Sequence, residues 1–494
     1  MRKINYIAIS AAFLLLVNLS SAKISVSPRK IKVAEGKINT LETPFVPVIS
    51  FDGGSDDVSA EYNAVLKELA QRLRDNPDAI VEIRGYYHLT GDGASGNDVL
   101  AKNRADAVRT KLLKFEPTIA SRVLVEPAKN PKKLRRGDDG SLDIKIQQEN
   151  QRAEITARTS EQMEETFKST NPNAVVEMLE QDGNLYRFQR MLNDNPLFFL
   201  IIEGTNITPA DKSVKALKIL DIIRSKLVGK IKNDAISERI FISANNDNSK
   251  VEKIKISVSP EWIVSKPICQ NHCSGVIEPQ SHTCQIESDE QGTIGIFRDD
   301  GYKIADVHSE WNLSPLPDFS RKYFASMLPN KKSPSAMRVW SKPIEFKNGM
   351  QPKSLSESFF LTNYKIDQLE IPNDGASYAN RDLAARYIVA LANSNRKRIV
   401  SVKIAGYTDD TGDDEKNRQM TLFWANKEYE YLANLIEFYS GEKIEKTGKN
   451  KAKCKNIEIE IVGMKNADDN PKISESTPQG RIAKRRVEIR VEMK

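Results

Sequence analysis

A short block recurs in this chain, and a recurring block forces a fold assembled from repeated units. Arg74-Asp75-Asn76-Pro77 leads into the apolar run Ile80–Arg84, which ends at Gly85. Asn193-Asp194-Asn195-Pro196 leads into a second such run, with the same spacing from Pro196 to Gly204. A third copy spans Asn393–Gly406, with a slightly longer lead. In the first copy the flanking periodicities alternate. Phe45–Phe51 reads as a strand, Val58–Asn76 as a helix, Ile80–Arg84 as a strand and Leu100–Phe115 as a helix. Strands at Arg122–Val125 and Ala153–Ala157 close the copy. The order β-α-β-α-β-β predicts an α+β fold, a mixed sheet with helices packed on one face. Matching helices are expected at Ala216–Lys226 and Thr421–Phe438, and the last strands at Lys455–Val462 and Arg486–Val491.

Length agrees with several such units. At roughly 100–200 residues per domain, 494 residues make about three or four. Aromatic residues are only 7% of the chain, and no ladder of alternating strands with aromatic girdles is seen. That argues against an outer-membrane β-barrel. The expected organisation is a leader at 1–22, a first unit at 23–157, a linker at 158–176, a degenerate second unit at 177–264, a β-rich module with cysteines and histidines at 265–340, and a third unit at 341–494.

The leader directs the chain out of the cytoplasm. Arg2 and Lys3 precede an apolar run, Ile7–Val17, and Ser20 and Ala22 are small residues before a cut at Lys23. This is the pattern of a secretory signal peptide. The alternative, an uncleaved anchor, needs an apolar run of about 20 residues, and this one is shorter. The expected address is the periplasm, with association to the outer membrane or the cell wall, and no membrane-spanning segment after cleavage. The net charge of +7 falls to +5 once Arg2 and Lys3 are gone. That is too mild a balance for a nucleic-acid partner.

The four cysteines are Cys269, Cys273, Cys284 and Cys454. In an exported chain disulfides are the default reading. The alternative is zinc held by Cys269, Cys273, Cys284 and either His272 or His282, although the spacing is not that of a standard finger. No metal or cofactor is expected.

The third copy carries the most specific pattern. Gly406-Tyr407-Thr408-Asp409, then Gly412, Asn417 and Ala425, then Thr477-Pro478-Gln479-Gly480-Arg481 and Arg485-Arg486-Val487-Glu488-Ile489 resemble the C-terminal peptidoglycan-binding domain of the OmpA family, shared with MotB. The resemblance covers about 341–494. It returns over 45–157 through Phe51-Asp52, Gly85-Tyr86, Asn97, Arg104-Ala105 and Asn150-Gln151-Arg152. The second copy keeps the apolar frame and little of the motif.

The resemblance implies recognition without catalysis. In the family an Asp in the strand-to-helix loop accepts from the ammonium of diaminopimelate in the peptidoglycan stem. An Arg further along the helix forks onto the same residue's carboxylate. Here that pair is split. The third copy has Asp409 but Trp424 at the Arg position. The first has Arg104 but His88 at the Asp position, with Asp92 and Asp98 as substitute acids. The second has Ile207 near the Asp position and no matching Arg. The implied peptidoglycan contacts are Thr408, Asp409, Asn417, Trp424, Lys427 and Arg481 in the third copy, and Asn97 and Arg104 in the first. Lys427, one turn beyond Trp424, would replace the missing cation. The competing reading is an envelope scaffold whose degenerate copies bind other envelope proteins. A third, an exported enzyme or metal protein built on the Cys/His module, finds no nucleophile–base motif, and His308 stands alone.

Overall fold

A computed structural model describes residues 23–28, 36–88, 92–126, 144–209, 213–247, 249, 251–275, 283–289, 291–312, 318, 320–328, 337–345, 354–364, 369–394, 397–409, 413–464 and 477–493. The expected leader at 1–22 and Gly412 lie outside the described residues. The fold is α+β with mixed sheets. One strand order occurs three times: first, fourth, second, third.

In the first unit, Val48–Ser50 pairs antiparallel with Arg152–Thr159. That strand pairs antiparallel with Ala79–Gly85, which pairs parallel with Val123–Glu126. In the second unit the same order runs Glu164–Phe167, Lys253–Ser259, Phe199–Thr205 and Ile240–Asn245. In the third it runs Ser354–Leu361, Arg486–Met493, Val400–Tyr407 and Ile457–Gly463. Each parallel pair requires a crossover, and a helix supplies it in every case: Asp98–Phe115, Ser213–Ile231 and Asp414–Ser440.

Apolar periodicity explains the first helix of the first unit. Asn63–Asp75 buries Leu66, Leu69 and Leu73 in the same apolar core as Val81 and Ile83, the i, i+3, i+7 stripe of an amphipathic helix. Its counterpart in the third unit, Gly375–Ser394, has no such stripe. It is buried on nearly every face, between the second and third sheets, so periodicity gives no warning of it.

The stretch expected to be a linker, 158–176, holds the edge strand Glu164–Phe167 of the second sheet and the start of the helix Pro172–Gln181. Its residues are polar because only one face of an edge strand is covered. The third sheet is widened to eight strands. Gly36–Thr43 and Ile268–Gly275 extend one side, and Lys451–Cys454 and Glu445–Gly448 the other. The stretch 265–340, expected to be one module, is divided: Ile268–Gly275 joins the third sheet, Thr283–Ser288 pairs with Ile24–Pro28 and Glu310–Asn312, and Lys303–Val307, Ile294–Arg298, Tyr323–Met327 and Val339–Trp340 form a four-stranded sheet.

The recurring Asn-Pro block has a structural job. Asn76 Oδ1 accepts from the Leu197 amide at 2.8 Å, and Asn195 Oδ1 accepts from the Asp78 amide at 2.9 Å. Each asparagine thus caps the residue two positions past its own counterpart in the other unit. Each also ties back to the helix that precedes it, Asn76 to Arg72 O and Asn195 to Met191 O. The repeat is a reciprocal lock between the first two units, the arrangement a two-fold contact produces.

Candidate functional site

Close approach of helix to strand builds the loop site in each unit. In the first, a Cβ on Gly85 would lie 1.7 Å from Ala101 O, so only glycine lets the helix Asp98–Phe115 sit this close. Asn97 caps that helix, its side chain accepting from the Leu100 amide at 2.9 Å. Arg104, two turns beyond that cap, is completely buried. Its Nη1 and Nη2 fork onto Asp92 Oδ2 and Oδ1 at 3.0 and 2.7 Å. The remaining N–H groups donate to Ser55 O, Tyr86 O and Asp52 O. All five guanidinium donors are used inside the unit.

Asp92 is equally engaged, accepting also from the Gly54 and His88 amides and from Gln151 Nε2. Burial pushes its carboxyl up. The Arg104 and backbone hydrogen bonds outweigh this and hold it below the usual carboxylate range. Burial pushes the His88 imidazole down. His88 thus brings a backbone donor to this loop, while Asp92 supplies the acid. Asp98 is exposed in the first helical turn.

In the third unit Gly406 plays the part of Gly85, with a built Cβ 2.1 Å from Thr421 O. Thr408 and Asp409 follow the strand and are both buried to 2% exposure. Trp424 is fully buried and packs against Tyr364 with the rings tilted, ring centres 4.6 Å apart. Lys427 is half-exposed and pairs with Glu430 at 2.9 Å. Asn417 is buried in the first turns of the long helix, which Asp413 caps.

The cation next to Asp409 comes from elsewhere. Arg485 Nη1 donates to Asp409 Oδ2. The same guanidinium forks onto Glu149 of the first unit, Nη1 to Oε1 at 3.0 Å and Nη2 to Oε2 at 2.9 Å. Burial lowers the Arg485 pKa, but the Glu149 and Asp409 carboxylates raise it further, so it stays charged. Arg481 completes the contact. Its Nη2 donates to Lys145 O and Gln148 Oε1, and its Nε lies 3.5 Å from Glu149. The helices Ile144–Asn150 and Pro478–Lys484, each just before the last strand of its unit, meet here.

The second unit fills the equivalent space with hydrocarbon. A Cβ on Gly204 would lie 2.6 Å from Ile207 Cδ1 and 3.1 Å from Leu220 Cδ2. An aliphatic contact stands where the other units hold a carboxylate.

Asp409, Thr408, Asn417 and Arg481 thus lie in or beside one loop region, and Trp424 and Lys427 lie further along the helix. Arg104 and Asn97 belong to the separate first-unit loop. Sequence reasoning missed Glu149 and the pairing of Arg485, because both are long-range: Arg485 and Glu149 are 336 positions apart. Arg485 was visible as a motif residue, but its partner was not.

The cysteines depart from the disulfide expectation. Cys284 and Cys454 are buried free thiols, on strands of different sheets. Burial raises the Cys284 thiol to about 11. Cys269 accepts a hydrogen bond from Arg298 at 3.1 Å. The side chains of Cys273, His272 and His282 lie outside the described residues. No cluster of three His, Cys, Asp or Glu side chains suited to a metal occurs among the described residues. Nor is any helix among them long and apolar enough to cross a membrane.

Residues 50–141 match the model of the OmpA family. No curated protein matches the chain. Among solved structures, the peptidoglycan-associated lipoprotein of Burkholderia pseudomallei is 24% identical, over 23% of this chain and 90% of its own, with a TM-score of 0.19. A periplasmic domain of Helicobacter pylori MotB is 15% identical, over 32% and 98%, with a TM-score of 0.20. The cell wall anchor of the type VI secretion system of Pseudomonas aeruginosa is 18% identical, over 28% and 88%, with a TM-score of 0.19.

Proposed function

We propose that this is a non-enzymatic, exported cell-envelope protein built from three OmpA-like units, and that it binds peptidoglycan through the third. The observation that carries this reading is the Asp409–Arg485 pair. Diaminopimelate presents an ammonium and a carboxylate on one carbon, and Asp409 and Arg485 present the complementary charges side by side. Arg485 supplies the cation that the helix position, occupied by Trp424, lacks. Thr408, Asn417 and Arg481 frame the loop. Trp424 supports it from the core, while Lys427, paired with Glu430, faces the cleft between the second and third units.

The first unit takes a structural part in this account. Arg104 and Asp92 consume each other's hydrogen-bonding capacity. The Arg104 pair is wholly buried and closed within one unit, whereas the Arg485 fork is shared with Glu149 of another unit, which a ligand carboxylate can replace. The second unit has Ile207 at the Asp position and serves as a spacer locked to the first. Glu149 occupies the Arg485 fork in the unliganded protein, so a stem-peptide carboxylate binds by replacing it.

Co-sedimentation of the chain 23–494 with purified sacculi tests the reading. Wild type should pellet with the wall, and Asp409→Asn should stay in the supernatant. Equal pelleting of both would place binding elsewhere. If neither pellets, the envelope-scaffold reading takes its place.

A further inference from the structure

A closed cluster of charge lies where the third sheet meets the sheet built on Ile294–Arg298 and Tyr323–Met327. Asp299 and Asp300 follow the first of these strands, and Arg321 precedes the second. Glu42 and Glu357 come from the third sheet, on the neighbouring strands Gly36–Thr43 and Ser354–Leu361. Lys266 enters from the chain just past Trp262–Ser265. Arg298 forks onto Asp300, Nε to Oδ1 at 3.2 Å and Nη2 to Oδ2 at 2.5 Å. Lys266 Nζ and Arg321 Nη2 lie 2.9 and 3.0 Å from the same Oδ2. Arg321 also pairs with Asp299 at 2.6 Å and with Glu357 Oε1. Glu42 Oε1 lies 3.7 Å from Arg298 Nη2.

The charges do not balance. Asp318, buried beside the cluster, accepts from the Tyr387 hydroxyl at 3.0 Å. Glu42, Asp299, Asp300, Asp318 and Glu357 are then five carboxylates facing three cations, Lys266, Arg298 and Arg321. Asp299 sits at the solvent edge, and without it four still face three. The remaining neighbours of Glu357 supply no cation. They are Tyr387 of the helix Gly375–Ser394, Tyr323, Cys269 of the strand Ile268–Gly275 and Val491 across the sheet. A void of about 10 Å³, lined by Glu42, Lys266, Asp300, Arg321 and Glu357, is at the limit of what admits one water. No hydrated counter-ion fits there.

A buried carboxylate in excess neutralises itself by keeping a proton. Asp300 is not that group. Burial pushes it up, but Arg298, Lys266 and Arg321 outweigh this and hold it well below the usual carboxylate range. Glu42 and Glu357 are less well paired. Glu357 Oε2 is buried with no hydrogen-bond partner among the described residues. Burial pushes the Glu357 carboxyl up to about 8 against the pull of Arg321 and Arg298, and it raises Glu42 as well.

We propose that Glu42 and Glu357 hold one proton between them, and that this joint between the two sheets opens more readily as pH rises. Opening admits water, and the proton leaves a carboxyl whose unfolded value is about 4.3. The closed joint binds the proton more tightly than the open one. Its stability is therefore complete below about 4.3, falls about tenfold per pH unit above that, and levels off near 8. The joint is tightest in acid. It is separate from the Asp409 pair and does not depend on it.

Hydrogen exchange of the chain 23–494 at about pH 6 and about pH 8, corrected for the intrinsic pH dependence of exchange, tests this. In wild type the opening of Gly36–Thr43 and Ser354–Leu361 should rise by roughly a hundredfold between the two, one proton over two pH units. The strand Ala79–Gly85 of the first unit should not follow. Glu357→Gln keeps the neutral form at every pH, so most of the rise should vanish. Glu42→Gln removes the same excess charge from the other strand and should flatten it too. The proposal is overturned if wild type shows no rise beyond the intrinsic chemistry, or if either folded variant keeps the wild-type rise. Failure of both variants to fold would also overturn it, because a neutral side chain there is what the closed joint requires.

Discussion

Replacing Arg104 with methionine keeps much of the side-chain volume and removes five hydrogen bonds. Asp92 then keeps only the Gly54 and His88 amides and Gln151 as donors to a buried carboxylate. Truncating one partner of a buried ion pair costs about 3–5 kcal/mol. At about 1.4 kcal/mol per factor of ten, amide exchange in the first unit should accelerate by roughly two to three and a half orders of magnitude. Hydrogen exchange read by mass spectrometry resolves this unit by unit. The strand Ala79–Gly85 and the helix Asp98–Phe115 should respond, and the helix Asp414–Ser440 should not. The effect has a defined pH dependence. The folded-state pKa of Asp92 lies below its unfolded value of about 3.9, so the pair's contribution is complete above that value and is lost as pH falls through the folded-state pKa. Wild type and Arg104→Met should therefore converge in acid. Acceleration below tenfold, or equal acceleration in the third unit, would refute the reasoning. So would loss of sacculus binding with an intact third unit.

Three other outcomes follow from the same geometry. Glu149→Ala should increase sacculus binding several-fold, because it frees the Arg485 fork for a ligand carboxylate; unchanged or weaker binding in a folded variant would contradict the replacement step. Asn76→Ala, with two lost hydrogen bonds, and Asn195→Ala, with three, should each destabilise the first two units by about 1–3 kcal/mol, measured by urea unfolding, and the double variant should cost measurably less than the sum; strict additivity would dissolve the reciprocal lock. Alkylation in denaturant without reductant should label both Cys284 and Cys454, and a disulfide-linked peptide containing either would contradict the fold around them.

The frame of each unit is legible in local patterns. The run before Gly204 became a central strand because continuous apolar residues need cover on both faces, whereas the run before Gly85 alternates buried and half-buried residues, with Glu82 and Arg84 on its outer side. The helix Asn63–Asp75 showed its stripe. Gly375–Ser394 stayed hidden because a helix buried on most sides loses the polar face that marks one. Glu164–Phe167 read as linker because a four-residue edge strand has too few residues for alternation to register. The site divides in the same way. Asp409 and Arg104 stand out through motif spacing, whereas their partners do not. Asp92 reaches Arg104 from a loop of irregular sequence, and Glu149 reaches Arg485 across a contact between units. No pattern along the chain encodes either pairing.

The central claim is one zwitterion site per chain, at Asp409 and Arg485. Isothermal titration with a purified stem peptide ending in diaminopimelate tests it most directly. The account predicts a single site, abolished by Asp409→Asn, since loss of one partner of such a pair costs about 2–5 kcal/mol, and retained in Arg104→Met. Two sites per chain, or binding that survives Asp409→Asn and disappears with Arg104→Met, would contradict it.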